Sequence, residues 1–346
     1  MHVAGMGQPD AVESGYGSDR TGLVWAFRFA PGEPAHAVQP GEIADLVLGG
    51  SAAPGGQFLW LHFSLSNAAS ERWLRQHLEL PNSFHLLLHE GVGSTRVEQD
   101  GESLLAIIHD VLFDSSFDTT DVSTVALCVQ PRVLVSARPR PLRSLDRLRS
   151  TVRGGAMFRS PAELLAQLLR DQANVLVEIV RHTTSRVDTA EDRLLANRIA
   201  MSRAELGSMR RVLVRLQRLL APEPAALFRL LSRPPRWIGE EDVQDLRQSA
   251  EEFSTAVADS ATLVERIRLL QEELAARINE QNNRILFVLT VVTVLAVPFN
   301  LIGGLFGMNV GGIPFADDRR GFWLIIALVS AFTAAAGAVI HRRRGG

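Results

Sequence analysis

The chain has 346 residues, a formal net charge of -2 and a sequence pI near 6.5, so it is longer than one ordinary domain and carries no overall field that points to nucleic acid or to a basic partner. All 36 Lys+Arg residues are arginine, scattered along the whole chain, which reflects base composition rather than a phosphate-binding patch. The single cysteine excludes an intrachain disulfide, a cysteine-based zinc finger and a CxxC redox pair.

Residues 1–22 are polar and rich in Gly and Ser, without the apolar core of a signal peptide, so the amino terminus is expected to stay in the cytoplasm. From Leu23 to about Arg138 strand-like and helix-like stretches alternate, which predicts an α/β domain over 23–155. Apolar runs at Leu23–Phe29, Phe58–Phe63, Leu104–Ile108, Val122–Val129 and Val133–Val135 read as strands. Cys128, inside the apolar run Val125–Val129, reads as a buried structural thiol. Ser66 or Asn67 is expected to cap a helix that passes Trp73 and Leu78 and stops at Pro81. His85 and His89 have the i, i+4 spacing of a shared metal site, but with no third ligand nearby they read as exposed surface histidines.

After the turn at Arg138–Pro141 only helical patterns follow, which predicts a helical region over 156–283. Pro161 opens a helix with apolar positions at Leu164, Leu165, Leu168, Leu169, Val175, Leu176, Ile179 and Val180. A second helix, about Arg203–Leu220, is expected to end near Pro222 and Pro224, and a loop with Pro234 and Pro235 leads to a third from Glu240. Between Glu240 and Phe306 no Pro occurs until Pro298 and no Gly until Gly303. The heptad-like positions Val257, Leu263, Ile267, Leu270 and Leu274 therefore continue into an apolar run as one stalk helix of roughly 60 residues, about 90 Å long. The acidic clusters Asp188–Asp192 and Glu240–Asp242 read as solvated helix faces. No GxxxxGK[ST], GxSxG or HExxH occurs, so nothing in the sequence supports an enzyme.

Two charge-free runs close the chain, Ile285–Phe306 and Gly321–Ile340, each of about 20 residues and long enough for a ~30 Å hydrocarbon core. They predict transmembrane helices over 284–306 and 321–341, an external loop over 307–320 and a tail over 342–346. Arg277, Arg284, Arg342, Arg343 and Arg344 flank the outer ends of the pair, against Arg319 and Arg320 in the connection, so both termini are expected to be cytoplasmic. At 100° per residue, Asn283, Thr290, Thr293, Asn300 and Gly304 fall within an arc of roughly 100°, with Leu286 and Val297 in or near it. Such a face can line a pore made by several copies, with alternating polar and hydrophobic rings, or it can mediate helix packing.

Gly307-Met308-Asn309, between two C-terminal apolar runs and behind a stalk helix, resembles the GMN signature of the CorA family of metal-ion transporters. The resemblance is best over Gln271–Pro314 and weaker over Thr95–His109. It implies an α+β fold, with an N-terminal cytoplasmic α/β domain, a long helical stalk and two transmembrane helices, assembled as a homopentamer in the bacterial inner membrane. It further implies that the first span lines the pore, that Asn309 rings its outer mouth, that Gly307 lets the backbone turn and that Met308 packs behind. Neutral amide oxygens suit the water shell of a divalent cation without trapping the metal. Pro298 leaves the Val294 carbonyl without its helical partner near that face.

Val310-Gly311-Gly312-Ile313-Pro314 is similar to the zinc-transporting ZntB branch, which implies zinc as cargo, with magnesium, cobalt or nickel as the alternatives. No cofactor is implied. Asp317 and Asp318 are candidates for attracting cations at the mouth, offset by Arg319 and Arg320. Neither span holds Cys, His or a carboxylate, so zinc is expected to travel hydrated or on oxygen ligands. Direct proton coupling would then depend on loop and stalk acids such as Asp317, Asp318, Glu272, Glu273 and Glu280. The remaining alternative is a membrane-anchored sensor or scaffold.

Overall fold

The computed structural model of the chain describes residues 17–48, 56–89, 95–112, 121–196, 203–308 and 320–344. The chain divides into two compact units, Met1–Leu270 and Gln271–Gly346. In the first, strands β1 (Leu23–Phe29), β2 (His36–Ala37), β3 (Phe58–Ser64), β4 (Arg96–Asp100), β5 (Ser103–Val111), β6 (Val122–Val129) and β7 (Val133–Arg138) form one mixed sheet, in the order β2-β1-β3-β7-β6-β5-β4. The β3–β7 pair is parallel, from Leu59 opposite Val133 to Ser64 opposite Arg138, and the neighbouring pairs are antiparallel.

Alternation along each strand sends side chains to opposite faces. Leu61, Phe63, Leu105, Ile107, Ala126, Cys128 and Val135 share a core with residues of α1 (Pro40–Leu48), α2 (Ala69–His77) and α3 (Asn82–His89). Trp60, Leu104, Ala106, Ile108, Leu127 and Leu134 pack in a second core with α4 (Arg143–Arg153), α5 (Pro161–Leu195), α7 (Pro222–Leu231) and the first turns of α8 (Glu240–Phe306). The α+β architecture expected from sequence, a sheet between helical layers with a long helix behind it, is therefore what the chain adopts. Between α5 and α7 lies α6 (Arg203–Leu220), which buries Leu206, Met209, Leu213, Leu216 and Leu220 at helical spacing.

Local chemistry explains the element ends. Gly22 has φ +87°, and a Cβ there would stand 1.8 Å from Ser70 Oγ, so the turn into β1 requires glycine. Ser160 caps α5 by accepting the Glu163 N–H at 2.9 Å, with Pro161 inside the first turn. The α2 cap differs from expectation: Ala68 holds the cap position, the Asn67 side chain accepts the Ala69 N–H at 2.9 Å, and Ser66 instead donates to the Pro139 carbonyl. The helix stops at His77, short of Pro81.

All five expected strands form. The sequence reading missed β2, which has two residues, and β4, a charged edge strand paired to β5 across Gly101. α6 ends at Leu220, just before Pro222 as expected, but α7 was missed: Pro222 opens it, where a missing N–H costs nothing. In α8 Val257 is half-buried, and the fully buried place on the stripe belongs to Ala256. Cys128 is fully buried, and burial pushes its thiol up to about 12, as suits a structural residue. The second unit holds the rest of α8 and α9 (Gly321–Arg344).

Candidate functional site

α8 is one helix of 67 residues, with Pro298 inside it. Its charge-free part is long and apolar enough to cross a membrane, and none of its most apolar stretch is buried. Ile285, Leu289 and Leu301 are each at least 60% exposed. Apolar area left open to water forgoes about 25 cal/mol per Å², so hydrocarbon is the solvent this surface fits. α9 carries a second charge-free run and begins with exposed Phe322 and Trp323; the indole of Trp323, apolar with one N–H, suits a membrane–water interface.

The sides of α8 are not equally open. Phe287, Val291, Leu295, Pro298 and Ile302 are half-covered and form a single stripe at helical spacing. α9 has one such stripe too, Ile325, Val329 and Thr333, starting from buried Gly321. Asn283, Leu286, Thr290, Thr293, Val297, Asn300 and Gly304, the residues expected on one arc, are all exposed. Their arc is centred about 130° round the helix from the half-covered stripe. Among the described residues, nothing in the chain covers this polar side.

Thr290 donates its hydroxyl to the Leu286 carbonyl at 2.8 Å, and Thr293 to the Leu289 carbonyl at 2.9 Å. With their protons committed, both hydroxyls offer only lone pairs outward, which suits them to accept hydrogen bonds from water around a cation. Proline has no N–H, so the Val294 carbonyl loses its helical donor at Pro298 beside this arc.

At the end of the span Gly307 donates its N–H to the Gly303 carbonyl, and a Cβ on Gly307 would stand 2.9 Å from that oxygen. A glycine at this position permits the close approach. Met308 is 48% exposed among the described residues. Asn309, Asp317 and Asp318 lie outside the described residues. Glu273 pairs with Arg277 at 2.9 Å on the stalk.

The other metal candidate dissolves. His85 is buried, correcting the expectation of two exposed histidines. His89 is exposed, donates from Nδ1 to the His85 carbonyl and places Nε2 3.1 Å from Glu71. No group of three His, Cys, Asp or Glu residues able to hold a metal occurs among the described residues.

Sequence reading also missed a buried polar group where β5 meets α5 and α7. Glu223 is fully buried, accepting the His109 backbone N–H at 2.6 Å and the Gln172 amide at 2.7 Å. Burial pushes its carboxyl above the ordinary range, while the hydrogen bonds from His109 and Gln172 pull the other way. Two signals were available: His109 and Asp110 interrupt an apolar strand, and Glu223 stands between two prolines at a helix start.

The model of the family described as CorA-like Mg2+ transporter protein matches residues 55–342. The divalent cation transporter CmaX of Pseudomonas aeruginosa is 28% identical over 339 residues, 96% of this chain and 99% of that one. A zinc transport protein ZntB of Pectobacterium atrosepticum is 24% identical over 264 residues, covering 76% and 80% of the two chains. The full-length CmaX structure superimposes with a TM-score of 0.79 at 25% identity, over 96% of this chain and 100% of CmaX. The CorA magnesium transporter of Methanocaldococcus jannaschii shares the fold, with a TM-score of 0.71 at 20% identity over 92% and 97% of the chains. With a family match over most of its length and the exposed apolar helices to go with it, the chain belongs to the CorA-like family of divalent-cation transporters and not to a class of enzymes.

Proposed function

We propose that the chain imports zinc across the bacterial inner membrane as a homopentamer, through a pore lined by the polar arc of α8 and ringed at its outer mouth by Asn309. The observation that carries this reading is that arc: Asn283, Thr290, Thr293, Asn300 and Gly304 are exposed on a side that the described residues leave open. An isolated helix in lipid has no reason to align such groups, whereas copies around an axis give them water and a cation. Leu286 and Val297 then form hydrophobic rings between the polar ones. Asp317 and Asp318 raise the local cation concentration, and both termini remain cytoplasmic.

Zinc is favoured by likeness to zinc transport proteins named ZntB. Magnesium is the second reading, supported by the absence of Cys and His from both spans: oxygen-only ligands suit a hydrated hard cation. Zinc and magnesium uptake into proteoliposomes, measured for wild type and Asn309→Ala, tests both. The variant is expected to assemble normally and lose at least about tenfold of its flux, a loss of 1.4 kcal/mol or more at the mouth. Unchanged flux would remove the asparagine ring, and no flux in wild type would favour a membrane-anchored sensor. Zinc flux that persists without a pH gradient would exclude direct proton coupling.

A further inference from the structure

The surface of the first unit carries charge that its own fold leaves unmatched. Positions 203–238, covering α6, α7 and the turn after them, hold eight arginines against Glu205 and Glu223, and Glu223 is fully buried. Arg211, Arg215 and Arg218 are exposed on one stripe of α6, at i, i+4 and i+7, opposite the buried Leu213 and Leu216. Arg215 reaches Asp121 at 3.4 Å, but both side chains are exposed and such a pair contributes little. Arg211 and Arg218 have no acidic partner among the described residues.

α8 has the opposite sign. Between Glu240 and Leu270 it holds eight acids and three arginines. Glu241, Asp242 and Asp245 meet Arg159 of their own chain at 3.2, 3.4 and 2.5 Å. Glu251, Glu252 and Asp259, further along, are exposed and have no basic partner among the described residues; Glu252 only accepts the Gln248 amide. Residues seven apart stand two turns, about 10.5 Å, from each other along a helix. Arg211 and Arg218 have that spacing, and so do Glu252 and Asp259. Laid side by side the two stripes match charge for charge, yet no ion pair joins these residues within one chain.

We propose that the arginine stripe of α6 in one copy docks on the carboxylate stripe of α8 in the next. The proposal rests on the homopentameric reading and names surfaces that meet in it. Each copy then gives one stripe and receives the other, a head-to-tail contact that closes into a ring. An acidic polymer or lipid would satisfy the arginines and leave the α8 acids unmatched, whereas a second copy satisfies both at once. Val214, on the arginine stripe, is 42% exposed, and Thr255 and Ala258 lie exposed among the acids, so apolar and small groups meet between the charges. The contact gains from low salt, because exposed charges are screened at high ionic strength.

The test follows the mass of the full-length protein in detergent by light scattering as it is diluted at low and at high salt. Wild type is expected to stay assembled to lower concentrations at low salt. The triple variant Arg211→Glu, Arg215→Glu, Arg218→Glu sets acid against acid at every contact and should raise the midpoint of dissociation by about tenfold or more. The triple variant Glu251→Arg, Glu252→Arg, Asp259→Arg should do the same with the signs reversed. All six substitutions in one chain exchange the two stripes and should return the midpoint to within about threefold of wild type, a recovery that mere damage to the fold cannot produce. An unchanged midpoint in either triple variant overturns the proposal and leaves the stripes to other partners. A sixfold variant as weak as the triples overturns it too. Wild type that is monomeric at every concentration removes the pentamer on which the proposal rests. An oligomer indifferent to the reversals removes this contact alone and leaves the Asn309→Ala flux test standing.

Discussion

Between Glu240 and Leu270, α8 buries Leu246, Ala250, Phe253, Ala256, Ser260, Leu263 and Ile267 at three- and four-residue intervals, whereas between Glu280 and Phe306 it buries nothing. The helix is continuous, so backbone propensity cannot account for the change. In the first stretch the chain's own side chains are the solvent, and the charged residues, apart from Asp242, lie at or near the surface. In the second, both the apolar residues and the Asn and Thr residues face outward, which suits lipid on one side and further copies on the other. A single chain therefore completes its soluble unit and leaves its membrane unit unfinished.

The comparison breaks first where the finished core is cut. Trp60 is fully buried and meets Trp25 edge-on, with ring centroids 5.5 Å apart. Trp60→Ala is expected to cost about 3–5 kcal/mol in denaturant unfolding of the first unit, with any loss of flux following loss of folded protein. In the span the pattern inverts. Leu286 is 58% exposed, so Leu286→Ala should leave unfolding within about 0.5 kcal/mol of wild type. Its flux should rise severalfold, because a hydrophobic constriction has been widened. Unchanged flux would place that side chain against lipid.

A smaller effect sharpens the difference further, since the first unit holds buried carboxyls and the charge-free runs of the second hold none. Burial pushes the Asp171 carboxyl up to about 6, against weaker pulls from Gln167, Arg147 and Arg170. The folded chain then holds a proton that the unfolded chain releases near pH 4, so this contribution to stability declines as pH rises from about 4 to about 6 and stays low above. Asp171→Asn removes that decline while keeping an acceptor for Gln167. Its melting temperature should exceed that of wild type by a few degrees at pH 7.5 and match it near pH 3.5. His62 works oppositely: burial, then Arg138 and Arg149, hold it neutral in the fold, so stability falls as pH drops below about 6.5 in both proteins.

What was legible in the sequence follows from which signals are local. The runs at Leu104–Ile108 and Val122–Val129 declare buried strands because nothing else packs so many apolar residues together, and α6 was bounded correctly from Arg203 to Leu220. The arc on α8 was legible because a long straight helix turns residue number into angle. The Thr95, His109 and Glu223 group was not, because its members lie up to 128 residues apart and only the tertiary fold brings them together. His85 was misjudged for a related reason: its burial depends on the packing of α3, which its neighbours in sequence do not reveal.

Thiol accessibility tests the central claim most directly, namely that the polar side of α8 faces water shared between copies. Single cysteines at Thr293→Cys, Asn300→Cys, Val292→Cys and Phe299→Cys, in a Cys128→Ser background, are treated with a membrane-impermeant thiol reagent during cation flux into proteoliposomes. Block at positions 293 and 300 with none at 292 and 299 is the predicted result. Block at 292 and 299, with 293 and 300 untouched, would put the polar arc out of the water path and contradict the account.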